Sequence, residues 1–265
     1  MNHKFRVLGN EVLKSKYQKQ FHMKFIKNLL AMIGVSIFMT STVIAQDPDI
    51  NQIVQKYFET TGWKNIDKIQ TAVATGTSVQ YQQETSFRQI QKRPDKAYME
   101  VLLNNGQIIK QGYNGKTGWM LASWMNAAEP VELLGPDLKT IKDIGNIEGD
   151  LWNWQEKGHK LVLTGIQDLA GKKVYRLRLT KADGDIDEMY IDTESFILKK
   201  MIRKTNIGGS EVEVEIYYDD YRDIDGILLP FKIEQRFNNQ TGTIINIKEI
   251  KFNIEVDDDI FEKPQ

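Results

Sequence analysis

Glu211 to Tyr218 constrain this chain more than any other stretch. Glu211, Glu213 and Glu215 occupy one parity, and Val212, Val214 and Ile216 the other. Alternation with period two puts successive side chains on opposite faces of a strand, so the segment has one wet and one buried face. Asp225-Gly226 then has the chemistry of a tight hairpin, because Gly accepts the positive φ such turns require. Beyond it Ile227, Leu229, Phe231 and Ile233 share one face, and Lys232, Glu234 and Arg236 share the other. Asn238 to Gly242 turns the chain again. In the last strand Ile245 and Ile247 agree in parity, whereas Ile250, Phe252 and Ile254 have the opposite one. Such a switch predicts a β-bulge near Lys248-Glu249 and a bent sheet. The C-terminus should be a curved antiparallel meander with an apolar inner face.

The rest of the chain extends this pattern. Residues 47–61 read as a helix, with Asp47 as cap, Pro48 in the first turn, and Ile50, Ile53, Val54, Tyr57 and Phe58 at helical spacing. That stripe reads as core packing. Strands follow over 71–81, 84–92, 96–103 and 107–113, punctuated by Pro94-Asp95, Asn104-Asn105-Gly106 and Asn114-Gly115. Residues 127–158 lose the alternation. There Leu133, Leu134, Leu138, Ile141, Ile144, Ile147, Leu151, Trp152 and Trp154 recur at roughly helical intervals, which predicts two or three short helices. Strands resume at 160–165, 173–180, 186–191 and 196–204. The fold class is therefore mainly β with α. It is expected to be a curved antiparallel sheet of about 10–11 strands joined by short turns, with the helices lying on its concave face. Neither a linker nor an internal repeat is visible, so residues 46–265 read as a single domain.

The N-terminus has the pattern of a targeting segment. Lys24 and Lys27 precede an apolar run from Leu29 to Met39, and Val43-Ile44-Ala45 resembles a cleavage site. Residues 1–45 are expected to be a signal peptide, with translation starting at Met23 or with an unusually long basic region. An uncleaved anchor is the competing reading. Removing that segment leaves 28 Lys and Arg against 35 Asp and Glu, a net charge of about −7. A nucleic-acid binder needs a basic face, so that class is excluded.

Candidate chemistry is sparse. There is no cysteine, hence no disulfide, thiol nucleophile or cysteine metal site. Asp183, Asp185, Asp187 and Glu194 have the acidic spacing of a calcium loop, but Glu188 stands where such a loop requires Gly. His159 is the one histidine beyond residue 45 and has no sequence partner for a metal centre or a triad. Asp257-Asp258-Asp259 reads as a solvated strand end. No enzyme, cofactor or metal is expected. The tryptophan- and methionine-rich middle has two readings: plain core, or an apolar cavity that accepts a lipid tail. Met suits such a cavity because it is unbranched and polarisable, and each methylene buried contributes about 0.8 kcal/mol. On the second reading Trp119, Trp124, Met125, Leu134, Leu138, Ile141, Trp152, Trp154 and Phe231 line the lipid site.

Thr61-Gly62-Trp63, the stretch from Tyr113 to Trp119, the run from Asp220 to Ile233 and the closing Ile260-Phe261-Glu262-Lys263-Pro264 resemble the outer-membrane lipoprotein-sorting family. That family is similar to periplasmic carriers of the LolA/LolB type. The resemblance implies a half-barrel whose concave face is plugged by short helices, with the acyl chains of a lipoprotein or another lipid held beneath them. It implies a monomeric periplasmic carrier that meets envelope membrane proteins. Without a cysteine to be lipid-modified, a soluble carrier is the closer analogue. An arginine should hold the plug closed, with Arg88, Arg176 and Arg178 as candidates because they lie on strands. The alternative on the same scaffold is a sensor or protein-interaction module in envelope-stress signalling.

Overall fold

A computed structural model describes residues 49–123, 129–207 and 210–264. Among these, thirteen strands form one antiparallel sheet. The first meander comprises β1 (Thr71–Gln80), β2 (Gln83–Lys92), β3 (Lys96–Leu102), β4 (Ile108–Tyr113), β5 (Gly118–Ala122) and β6 (Val131–Leu133). The second comprises β7 (Lys160–Leu169), β8 (Lys172–Thr180), β9 (Ile186–Asp192), β10 (Leu198–Ile207), β11 (Ser210–Ile224), β12 (Ile227–Phe237) and β13 (Gln240–Phe252). Pairing of β1 with β13 fuses the two, so the sheet begins at β6 and ends at β7. The chain therefore leaves one edge and re-enters at the other. Residues 134–159 have to traverse the sheet to do so, and this traverse makes them a cover.

The sheet is the expected curved half-barrel, with two strands more than foreseen. Short β6 lies within the segment read as purely helical. That segment forms one α-helix, α2 (Gly135–Gly145), followed by turns, where two or three helices were expected. The N-terminal helix α1 (Ile50–Thr60) starts three residues late. Asp49, not Asp47, caps it, accepting a hydrogen bond from the Asn51 amide at 3.0 Å. The bulge falls where parity placed it: Thr75 faces Glu249 and Gly76 faces Ile247, leaving Lys248 as the extra residue.

Register assigns each strand residue to a face. Ala72, Ala97, Tyr113 and Leu133 point inward on one half, and Leu177, Leu179, Met189 and Ile191 do so on the other. Helix α1 packs Ile53 and Val54 onto the second group. Helix α2 packs Ile141 onto the first, with Leu138 and Ile144 beside it. A 3-10 helix, Trp63–Lys68, joins Ile147 and Trp152 over Ala72 and Ile227 in the middle. No helix among the described residues is long and apolar enough to cross a membrane. The signal-peptide expectation for residues 1–45 lies outside the described residues.

Candidate functional site

The inner face has a closed part and a half-open part. In the closed part, α1, α2, the 3-10 helix and residues 146–159 form a plug over the sheet. Gly118 shows how tightly α2 sits: a Cβ there would lie 2.8 Å from Leu138 and 3.3 Å from Ile141. Trp152 meets Phe58 edge-on with ring centroids 5.0 Å apart, and its indole donates to Asp67 at 3.2 Å. Trp154 packs against the α1 cluster. The Trp63 indole donates to the Glu148 carbonyl at 2.8 Å, tying the 3-10 helix to the crossing segment.

Polar anchors hold this plug to the sheet. On the floor Asp187 is buried, and Arg203 donates to both its oxygens at 2.7 Å. Burial disfavours the guanidinium charge, but the Asp187 contacts outweigh it and raise the Arg203 pKa. Asp150 of the crossing segment lies 3.2 Å from Lys181 and 4.0 Å from Arg203. Arg93, at the end of β2, reaches the carbonyls of Ile69 at 2.6 Å and Ile66 at 2.8 Å, and also pairs with Glu148. Lys157 binds Glu148 from the other side at 3.2 Å. Burial acts to raise the Glu148 pKa, yet its bonds to Arg93 and Lys157 prevail and lower it.

Among the described residues, the space between plug and floor is narrow. A pocket of about 200 Å³ lies between Tyr57, Phe58, Trp63 and Leu151 above and Leu179, Met189, Met201 and Arg203 below. A cleft of about 850 Å³ lies elsewhere. It runs between α2 and β8–β11 and is lined by Lys139, Asp143, Arg176, Arg178, Glu188 and Glu213 among others. Its size suits a small molecule, but its charged walls do not suit a hydrocarbon chain. Its cations are also engaged: Arg176 and Arg178 share Glu188 at 3.0 and 2.6 Å, and Lys139 binds Asp183 at 2.6 Å.

The half-open part lies beyond the plug, toward the turns at 81–82, 103–107 and 238–239. Here the inner face continues with Phe87, Met99, Val101 and Ile109 on β2–β4 and with Ile233 and Ile245 on β12 and β13. All six are half-buried. Their outward neighbours on β2, Glu84, Ser86 and Arg88, are exposed and polar. A trough of apolar side chains thus extends the core toward one rim, with Gln89 and Gln111 flanking Met99 and Ser78 opposite Ile245 on the same face.

The structure sorts the residues expected at the lipid site. Leu138, Ile141, Trp152 and Trp154 belong to the plug, and Phe231 is buried on the inner parity of β12. Leu134, just before α2, is 67% exposed. Trp124 and Met125 lie outside the described residues. Trp119 is placed on the opposite face. Since Gly118 faces α2, the next residue in the strand must face away. Trp119 there packs with Tyr98, Ile90 and Phe261 under the C-terminal segment and donates to the Phe261 carbonyl at 2.8 Å. The three candidate arginines are also on the outer face: Arg88 pairs across from Glu100, and Arg176 and Arg178 lie opposite Tyr190 and Glu188. Sequence reasoning missed Arg93 and Arg203. A bulge at Lys199 breaks the alternation of β10, so Leu198, Met201 and Arg203 share the inner face without showing a period of two. Among the described residues no cluster of three or more His, Asp and Glu could hold a metal ion.

No family model matches this sequence, and no curated protein matches it either. Solved structures do. A LolA superfamily protein from Nitrosomonas europaea aligns with a TM-score of 0.54 at 15% identity, covering 80% of this chain and 97% of that one. A domain named for outer membrane lipoprotein sorting, from Vibrio parahaemolyticus, gives 0.53 at 11% identity over 79% and 94%. A DUF1329 family protein from Desulfovibrio piger gives 0.53 at 11% identity over 79% and 97%. The chain has a LolA-like fold.

Proposed function

We propose that this chain is a monomeric periplasmic carrier that binds the acyl chains of lipoproteins or of other lipids and catalyses no reaction. The observation that carries this reading is the trough: half-buried Phe87, Met99, Val101, Ile109, Ile233 and Ile245 in one band beside the plug. Apolar surface at that degree of exposure gains from contact with hydrocarbon, at about 0.8 kcal/mol per methylene. The LolA-like fold supports the same reading. The space of about 200 Å³ beneath the plug is small. Loading therefore takes the tail into the trough and lifts α2 or the crossing segment, so that Leu138, Ile141, Trp152 and Trp154 exchange contacts with the floor for contacts with lipid. Residues 1–45 act as the signal for secretion and are removed.

Native mass spectrometry of protein purified without delipidation tests this. A co-purifying lipid mass is expected, as is one-to-one uptake of a fluorescent fatty acid by delipidated protein. Protein that neither retains nor takes up any acyl chain overturns the proposal.

A further inference from the structure

The two rims of the half-barrel differ in chemistry. At the trough end, residues 79–83, 102–108 and 237–247 contain no Asp, Glu, Lys or Arg. Charge at that end lies outside these three hairpins: in the 181–185 turn, whose two Asp carboxylates Lys139 binds, at Glu129 in the β5–β6 connection, and at Lys160 at the start of β7. At the opposite end every turn is charged: Arg93 and Asp95, Lys116, Asp192 and Glu194, and Asp223 and Asp225 mark four of them. Exposed large hydrophobics gather at the uncharged hairpins. Tyr81 is 87% exposed, Leu102 46% and Ile108 36%, and Leu102 and Ile108 are cross-strand partners. Tyr81 and Gln82 also hold φ angles of 48° and 63°, left-handed conformations that L-residues with side chains adopt at a cost. Those angles are what a two-residue hairpin turn requires, as at Asn238-Asn239 (φ 49° and 61°), and the turn leaves the Tyr81 ring in solvent.

We propose that this rim docks on the surface of a lipid bilayer, seating Tyr81, Leu102 and Ile108 at the boundary between headgroups and acyl chains. Three features favour a bilayer over a protein partner. The three hairpins at 79–83, 102–108 and 237–247 carry no ion-pairing group, whereas protein interfaces are rimmed by polar and charged contacts. The hairpins combine a tyrosine, aliphatic side chains and amides (Asn104, Asn105, Gln107, Asn238, Asn239), the mixture suited to the polar–apolar boundary of a membrane. The trough opens at this same rim, so an acyl chain could pass from bilayer to inner face without crossing water. With residues 46–265 near −7, the attraction is apolar and not electrostatic.

Flotation of the full chain with phosphatidylcholine vesicles is the test. Association should be unaffected by raised salt. Tyr81→Asp should weaken it about tenfold, the worth of one buried aromatic side chain. Tyr81→Asp/Leu102→Asp/Ile108→Asp should abolish it, while Val162→Asp on the exposed edge strand β7 leaves it within about twofold. Absence of flotation, or loss of flotation in high salt, overturns the proposal. So does flotation that survives the triple substitution, which would assign the contact to residues 1–45 or to another face. Should the triple variant not fold, Tyr81→Trp with brominated lipid decides: its added emission should be quenched by the vesicles, and unquenched emission overturns the proposal. Vesicle docking and lipid carriage are read separately, since a chain that floats can fail to retain lipid, and the reverse.

Discussion

Arg203 and Asp187 face each other across β10 and β9 and form two hydrogen bonds of 2.7 Å on the floor beneath the plug. Asp187 is 2% exposed. Removing one member of such a pair strands a buried charge, which costs more than the pair contributes to stability. Arg203→Met, which strands the buried Asp187 carboxylate, should lower the unfolding free energy by about 3 kcal/mol, read from urea midpoints. The double variant Asp187→Leu/Arg203→Met, which removes both charges, should recover most of that loss. A double variant as unstable as the single one would mean that the pair is net stabilising.

Glu148 links the crossing segment to Arg93 and Lys157, which hold its pKa below the ordinary 4.5 despite its burial. A carboxyl depressed by folding stabilises fully above its unfolded value, and that contribution fades as pH falls through the folded value. Asp143 behaves oppositely. Burial raises its pKa against Lys139, Lys181 and Arg203, so its protonation on acidification relieves a cost. We expect Glu148→Gln to be less stable than the parent at neutral pH and to lose less stability on descending below about pH 4.5. Urea midpoints across a pH series check this, and parallel curves for the two proteins would contradict it.

How much of this was readable in advance depends on whether a strand has one wet face. In β11 and β12 the alternation of Val and Ile with Glu and Lys survives because the outer face meets water, and both strands stand where the pattern put them. The bulge at Lys248 was legible for the same reason, as a parity switch. Strand β5 reads Gly-Trp-Met-Leu-Ala and gives no such signal, because both of its faces are covered, one by α2 and the other by the C-terminal segment. Trp119 was therefore assigned inward when it faces outward. The role of α1 was also hidden. Its apolar stripe announces burial but not that the surface it covers is the floor of the half-barrel.

That placement of Trp119 makes it a control. Among the described tryptophans Trp63, Trp152 and Trp154 belong to the plug, and Trp119 lies across the sheet from it. Lipid uptake should change the emission of the plug tryptophans alone. Trp119→Phe should leave the lipid-induced change in fluorescence intact, and Trp152→Phe should reduce it by a third or more, on the order of its share among three reporters. An equal loss in both variants would refute uptake on the inner face.

Gly62 separates α1 from the 3-10 helix at φ 70°, against the β11–β12 hairpin. A Cβ there would lie 1.8 Å from the Gly226 carbonyl oxygen. The neighbouring Thr61 carbonyl accepts from the Leu228 amide at 2.8 Å, so the junction cannot slide to make room. Gly62→Ala combines left-handed strain with overpacking and should cost about 2–4 kcal/mol. Proteolysis within α1 should accelerate in this variant, and unchanged stability would show that α1 is held by its apolar face alone.

Lys248 is exposed, so its side chain should matter little, and Lys248→Ala should change stability by no more than about 0.5 kcal/mol. Its backbone matters more. The extra residue lets Ile250 and Phe252 point inward opposite Ala74 and Ala72 while Ile245 and Ile247 point inward opposite Ser78 and Gly76. Deleting Lys248 removes the parity switch. Either Ile245 and Ile247 turn outward, or the β12–β13 hairpin slips by one residue along β1, and each outcome puts apolar side chains into water. With two Ile side chains displaced, the deletion should cost at least about 3 kcal/mol at roughly 1.5 kcal/mol or more each, and should open the seam joining the two meanders. Hydrogen exchange of the β1 and β13 amides distinguishes the two variants. If the deletion retained native protection there, the bulge would not be what fixes the register of that seam.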